Sequence, residues 1–192
     1  MRRTLAFLVL AAATLPLALA QTDKNKYMTP SKANPPSNPQ MATATINGKE
    51  IWLVYHAPNV KGRKIFGGEG ALQANGTNWR GGADWATFLH TDAELNIGGT
   101  TVPAGEYTVF FALNQGSWDM ILNKQTGQWG IKRDGTANFD PANNVAKVPM
   151  KMGKTPALVE TLKYTLSSSG GNKGTLKLEW ENTSASVDFT AK

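Results

Sequence analysis

The feature that most constrains the fold is a series of short segments in which every second residue is apolar. Two of these segments flank Gln115-Gly116, a pair of residues suited to a tight turn. Their alternating side chains are Tyr107, Val109, Phe111 and Leu113 before the turn, and Trp118, Met120 and Leu122 after it. A period of two places successive side chains on opposite faces of a β-strand, so this region is predicted to form a hairpin.

A second hairpin is predicted over residues 42–55. Two alternating segments there are joined by Asn47-Gly48, a pair that accepts the positive φ angles of a type I′ turn. Trp52 and Val54 fall on the face opposite the other apolar residues of their strand. Both faces of this strand are therefore expected to be at least partly covered.

Further alternating segments follow at hairpin spacing, at residues 85–91, 93–97, 162–166, 176–180 and 187–189. No stretch of ten or more residues has helical periodicity, although Asp140-Pro141-Ala142 can begin a short helical turn. About nine short strands with glycine-rich turns predict an all-β, single-domain protein, an antiparallel two-sheet β-sandwich that is jelly-roll-like or a flattened barrel. Its predicted core comprises Leu53, Tyr107, Val109, Phe111, Leu162, Leu176, Leu178 and Trp180.

The first 20 residues have the features of a secretory signal peptide. A basic start, Met1-Arg2-Arg3, precedes an apolar stretch over residues 5–19, and Ala18-Leu19-Ala20 offers a small-x-small cleavage site. We expect removal of residues 1–20, no transmembrane segment after processing, and a periplasmic or secreted mature protein. Because the chain has no Cys, the exported domain must be stabilised by packing alone.

Residues 21–40 are predicted to be a flexible tether. The segment is polar and rich in proline, with Pro30, Pro35, Pro36 and Pro39, and it has almost no large apolar residues. Such a sequence cannot bury enough surface to offset its ordering entropy. The folded β-sandwich domain is therefore expected to span residues 41–192.

Composition excludes several classes of function. Loss of Arg2 and Arg3 lowers the formal net charge from +6 to about +4, and the remaining cations form no stripe, so no nucleic-acid partner is expected. Two distant histidines without Cys give no metal-ligand spacing, and nothing indicates a cofactor. Gly67-Gly68-Glu69-Gly70 lacks the Gly-Lys-Ser/Thr ending of a phosphate loop.

One group of residues on two glycine-rich loops is the candidate ligand-binding patch. It comprises Arg63, Lys64, Trp79, Arg80, Asp84 and Trp85. Guanidinium groups pair bidentately with carboxylate or phosphate, and Trp offers a flat face to a sugar ring or a cation. Equally, an Arg here can pair with Asp84 or with backbone carbonyls to fix an irregular loop. Both interpretations stay open, and both place the residues in one constellation.

The two histidines, His56 and His90, are the candidate bases. His90 alternates with the apolar residues of its strand, which favours a half-buried, hydrogen-bonded role. His56 precedes the Gly-Arg-Lys loop and is the better functional candidate. Neither belongs to a serine-nucleophile motif, because the sequence Gly-x-Ser-x-Gly is absent.

Several motifs together resemble one known family. They are Lys61-Gly62-Arg63-Lys64-Ile65-Phe66-Gly67-Gly68, Trp79-Arg80-Gly81-Gly82-Ala83-Asp84, Ile97-Gly98-Gly99, Val102-Pro103-Ala104-Gly105-Glu106-Tyr107, Trp118 and Asn123-Lys124. This pattern resembles the DUF2911 family of exported bacterial proteins, and the likeness extends from the hairpin near Ile46 to the run at residues 180–183. The resemblance implies a shared fold but no function, because the family has no established biochemical activity. Relatives usually have the sequence Trp-Arg-Thr-Gly-Ala-Asn-Glu in this loop. This chain has Gly81 in place of the Thr, Asp84 in place of the Asn and Trp85 in place of the Glu. If the loop binds a ligand in relatives, these differences imply a different ligand here.

Two functional classes follow. The first is a noncatalytic binding module that recognises a glycan, an anionic small molecule or an envelope protein through the candidate patch. The second is a hydrolase-type enzyme that uses His56 or His90 as a base with Asp84. A histidine beside Asp84 in a pocket favours the enzyme, whereas an open apolar groove lined by Trp79 and Trp85 favours the binding module.

Overall fold

A computed structural model describes residues 23–28 and 36–192. The signal peptide predicted for residues 1–20 lies outside these ranges. Within them the chain forms one α-helix, one 3-10 helix and thirteen strands. The elements are α1 (Lys24–Met28), β1 (Asn38–Ile46), β2 (Lys49–Ala57), β3 (Phe66–Gly67), β4 (Gln73–Ala74), β5 (Thr77–Trp79), β6 (Ala83–Thr91), β7 (Leu95–Ile97), β8 (Thr100–Val102), β9 (Gly105–Asn114), β10 (Ser117–Asn123), the 3-10 helix (Pro141–Asn143), β11 (Asn144–Pro149), β12 (Lys151–Ser168) and β13 (Lys173–Ala191).

Two antiparallel sheets form the domain. The first has the strand order β1-β2-β6-β9-β10-β11, and β5 also pairs with β9. The second has the order β12-β13-β7-β8, and the short β3 and β4 form a separate parallel pair. The predicted all-β antiparallel sandwich is confirmed.

The main hydrophobic core contains all eight residues that the alternation predicted, and every one of them is buried. The predicted Asn47-Gly48 turn is also present, with Ile46 directly opposite Lys49 and a φ of 52° at Asn47. The helical turn at Asp140 is present too, because the Asp140 side chain accepts a hydrogen bond from the Ala142 N–H (2.9 Å) and caps the 3-10 helix.

The longest strands differ from the prediction. β13 runs without interruption through Glu181, where the sequence had predicted two separate strands. Glu181 has a φ of 56°, and the register between β12 and β13 shifts on both sides of Val159. These irregularities break the period of two in this hairpin, and the first half of β12 gives no alternating signal because it has no buried residue.

The apolar outer face of the first sheet is covered by a segment that we expected to be flexible. Trp52, Val54 and Phe88 form a second small cluster, and Tyr27 of α1 stacks on the Phe88 ring at 3.8 Å between centroids. In the described parts of residues 21–40, α1 docks on the sheet and β1 begins at Asn38 rather than at residue 41, and a flexible tether over the segment as a whole stays a prediction. Helix α1 docks there because Tyr27 supplies apolar surface to a strand face that otherwise contacts water. No helix in the described ranges is long and apolar enough to cross a bilayer.

Candidate functional site

The central loop of the site interrupts a continuous line of pairing along β9. Trp79 of β5 lies opposite Phe111, and Thr87 of β6 lies opposite Val109, so the chain between them leaves β9 while Ala83 still pairs with His56 of β2. The Thr87 N–H donates to the Arg80 carbonyl (3.0 Å) and closes this loop. Residues 80–86 therefore form an excursion whose two ends are fixed by the sheet.

Gly81 is required inside this loop by close packing. Its φ is 77°, and a Cβ at this position would lie 2.9 Å from the Tyr164 hydroxyl and 3.0 Å from the Phe111 ring. The Tyr164 hydroxyl donates to the Gly81 carbonyl (2.7 Å). Burial, with the nearby Tyr55 as a lesser cause, raises the pKa of Tyr164 well above its ordinary value, so this phenol remains a neutral donor.

Arg80 connects this loop to the segment between β10 and the 3-10 helix. Its Nε donates to the Gly82 carbonyl (3.3 Å) and its Nη1 to the Trp129 carbonyl (2.8 Å). Its guanidinium carbon also lies 5.0 Å from the centroid of the Trp129 ring. Burial lowers the pKa of Arg80 to about 10, an effect that the Asp84 carboxylate partly opposes, so the group is still charged at neutral pH.

Arg63 lies on the other loop, which is attached to β12. The Val60 N–H donates to the Glu160 carbonyl (2.7 Å), and Arg63 donates from Nε to the Val60 carbonyl (3.0 Å) and from Nη2 to the Asn59 carbonyl (2.6 Å). The neighbouring Lys64 instead donates to the Glu69 carbonyl (3.3 Å). The two adjacent cations thus make contacts in different directions.

A cleft with a volume of about 340 Å³ lies between the two loops. Lys61, Arg63 and Arg80 contribute its cations, and Trp79 and Trp180 contribute indole surface. Among the described residues that line it, none is Asp or Glu. The cleft therefore combines positive charge with an apolar wall.

The indole wall differs from the groove that the sequence suggested. Trp79 is only 3% exposed and stacks against Trp180 at 5.9 Å, so it is mainly a core residue that reaches the cleft at one side. Trp85 does not line the cleft, and it packs instead on the exposed Trp129. The groove of Trp79 and Trp85 that would favour a binding module is therefore not found in the described part of the chain, because Trp79 is buried and Trp85 packs on Trp129.

The candidate bases occupy two different environments. His56 Nδ1 lies 3.4 Å from Asp84 Oδ2 and 3.3 Å from the Ser37 carbonyl, and the His56 side chain is 2% exposed. The first distance exceeds that of a well-formed hydrogen bond. His90 instead stacks on Trp52 (4.9 Å) and contacts Asp92 through Nε2 (2.9 Å), so it does not join Asp84. It is half-buried and hydrogen-bonded, as its strand position indicated.

Neither His56 nor Asp84 lines the cleft. Both side chains are buried behind the loop whose backbone forms one wall. Across residues 23–28 and 36–192 there is no group of three or more acidic or histidine side chains that could hold a metal ion.

Residues 37–189 match a family described as "Protein of unknown function (DUF2911)". The chain belongs to the DUF2911 family. No curated protein and no solved structure matches it. The DUF2911 match begins one residue before β1 and ends within β13, so it spans both sheets, whereas α1 lies outside it.

Three residues of this DUF2911 protein reach the site without having been singled out from the sequence: Lys61, Trp129 and Trp180. Lys61 lies after Pro58, Asn59 and Val60 in the loop that follows β2, and its position near Arg63 in the sequence was the available signal. Trp180 was assigned to the core, where it lies, and its second contact with the cleft has no sequence signature. Trp129 is in an irregular segment, so only the fold reveals that it meets Arg80.

Proposed function

We propose that this protein is an exported, noncatalytic binding module whose ligand is an anionic small molecule held in the cleft between the two loops. The observation that carries the proposal is the set of cleft residues. Three cations, Lys61, Arg63 and Arg80, line it together with indole surface and without an acidic neighbour among its described lining. A carboxylate or phosphate group matches such a set.

The guanidinium groups keep donors available for a ligand. Each has five N–H groups, and in the bonds to backbone carbonyls of the described residues Arg63 and Arg80 each use two of them. Those bonds hold the planar groups in fixed orientations. A ligand therefore meets donors whose positions are already set, which reduces the entropy cost of binding.

Size and polarity agree with a small ligand. The volume of about 340 Å³ lies at the lower end of the range for ligand pockets. Leu72, which is 45% exposed, lies in the cleft lining with Pro36 and Pro58 and provides apolar contact for the uncharged part of the ligand, whereas Trp79 and Trp180 are almost completely buried behind the cleft.

One observation favours the hydrolase-type alternative, namely the proximity of His56 to Asp84. However, a catalytic base must reach the proton that it abstracts, and both groups are buried outside the cleft lining. The pair is better explained as an internal support for the loop at 80–86. Hydrolysis of model esters or phosphoesters that is lost in His56→Gln would reverse this preference.

Binding can be tested with citrate, inorganic phosphate and glucuronate, with glucose as the neutral match for glucuronate. Each anion that fits should raise the melting temperature of the mature protein, because a ligand that binds only the folded state stabilises it. Arg63→Ala should abolish the shift. Arg133→Ala, which removes an equal charge from an exposed position outside the cleft, should retain it. Equal losses in the two variants, or no shift with any anion, would contradict the proposal.

A further inference from the structure

Trp85 and Trp129 form an exposed aromatic pair next to the cleft. Their side chains are 41% and 44% exposed, and their rings meet edge to face at 5.9 Å with an interplanar angle of 69°. Trp is highly buried on average. Two half-exposed indoles in contact are therefore a feature that the packing of the core does not account for.

The pair is held in place by the surrounding backbone. The Ala86 N–H donates to the Gln128 carbonyl (3.2 Å), which joins the two segments that carry the indoles. Gly130 makes this contact possible, because a Cβ there would lie 2.7 Å from the Ala86 Cβ and 3.0 Å from the Arg80 Cβ. The two rings thus belong to anchored segments, so little ordering is needed when a ligand contacts them.

Arg80 joins the aromatic pair to the cleft. The same side chain lines the cleft, donates to the Trp129 carbonyl and packs over the Trp129 ring. The cationic site and the indole surface therefore meet at one guanidinium group, and a ligand longer than the cleft can contact both.

We propose that the ligand is an acidic oligosaccharide, with one uronate carboxylate in the cleft and a neighbouring sugar ring on Trp85 and Trp129. This inference rests on the proposed function and names its ligand class. A sugar ring presents C–H groups to an indole face while its hydroxyl groups stay hydrated, whereas its carboxylate pairs with guanidinium. The positive cleft selects an acidic chain over a neutral one.

The inference is tested by isothermal titration with galacturonate, trigalacturonate and the neutral trisaccharide maltotriose. Trigalacturonate should bind the wild-type protein about tenfold more tightly than galacturonate, a difference of about 1.4 kcal/mol, and maltotriose should bind more weakly than both. Trp85→Ala should reduce trigalacturonate affinity to that of galacturonate and leave galacturonate binding unchanged. Leu158→Ala, which truncates an exposed apolar residue of β12, should change neither the affinity for trigalacturonate nor that for galacturonate.

Other outcomes separate this inference from the proposed function. If galacturonate, citrate or phosphate binds but trigalacturonate binds no more tightly than galacturonate, the extended site is wrong and the anion-binding cleft is retained. The same conclusion follows if Trp85→Ala keeps the higher affinity for trigalacturonate. If trigalacturonate binds only through Trp85 while Arg63→Ala has no effect, the cleft proposal fails. Trp85-dependent binding to phosphatidylglycerol vesicles without any effect on trigalacturonate would assign the aromatic pair to a membrane surface and overturn the oligosaccharide.

Discussion

Arg80 shows how a single side chain takes part in both the structure and the proposed binding. It donates to two backbone carbonyls, lies over Trp129 and lines the cleft. The sequence left open whether this Arg is structural or functional, and the contacts support both roles at once. Its position in one cleft with Arg63 could be anticipated from the glycine-rich loops, whereas its contact with Trp129 could not, because the two residues are 49 positions apart in the chain.

Arg80→Ala is expected to lower the free energy of unfolding by about 1–3 kcal/mol, because two carbonyls lose their donors and Asp84 loses a nearby positive charge. The same variant should also lose the anion-induced rise in melting temperature. Urea denaturation and thermal shift measure the two effects separately. Arg133→Ala is the control, and an Arg80→Ala protein with wild-type stability would show that the loop does not depend on these bonds.

Trp180→Ala is expected to cost roughly 3–5 kcal/mol, because the indole is almost completely buried between Trp79 and Phe66. Its Nε1 has no hydrogen-bond acceptor within the described part of the chain. Trp180→Phe removes this unpaired N–H and keeps most of the apolar contact, so it should cost less than Trp180→Ala. Chemical denaturation of both variants gives the comparison, and equal losses would show that the ring contacts contribute little.

At the scale of elements, regular strands were predictable and irregular ones were not. The hairpin around Asn47-Gly48 and the alternation in β9 and β10 obey the period of two, so the sequence located them and the core that they form. In the hairpin of β12 and β13 the alternation located residues 162–166 and 176–180, whereas the register shifts near Val159 interrupt the pattern in the rest of β12. The candidate site lies at such irregularities, which explains why its residues could be nominated from chemistry but not positioned.

Helix α1 gives a prediction at this scale. Tyr27 stacks on Phe88, lies near Trp52 and donates to the Glu106 side chain (3.3 Å). Tyr27→Ala should uncover Trp52, lower stability by about 0.5–1.5 kcal/mol and shift tryptophan emission to longer wavelength. Lys26→Ala, on the same helix, is the control. Unchanged emission in Tyr27→Ala would mean that the helix does not cover this face in solution.

The contact between Tyr27 and Glu106 predicts that the stability of the protein depends on pH. Burial and the Glu106 carboxylate raise the pKa of Tyr27 from 10.0 to about 12. A folded-state pKa above the unfolded value means that the folded protein binds more protons between these two values. The stabilising contribution of Tyr27 is therefore complete below pH 10 and is lost as the pH rises towards 12. Burial also raises the pKa values of Tyr55, Tyr107 and Tyr164, so the wild-type protein and Tyr27→Phe should be compared by spectrophotometric titration of phenolate absorbance. The difference between the two curves should be one ionisation near pH 12, and a difference centred near pH 10 would contradict the raised pKa of Tyr27.

At the scale of the whole molecule, a domain without disulfides is stabilised by two packed layers. The sheets enclose one continuous core, and the second cluster beneath α1 adds cover to the outer face. Because the chain has no Cys, this packing needs no oxidation step, wherever the protein folds.

The export prediction concerns residues 1–20 and can be tested on the full chain. The mature protein is expected to begin at Gln21 and to be recovered outside the cytoplasm, because Ala18 and Ala20 present the small side chains that signal-peptide cleavage requires. Ala20→Lys should block processing and leave the uncleaved chain in the membrane fraction, whereas Leu19→Ala, at the position between the two small residues, should still be processed. Mass spectrometry of the purified protein decides the matter, because an intact segment from Met1 to Ala20 in the wild-type protein would exclude cleavage at this site.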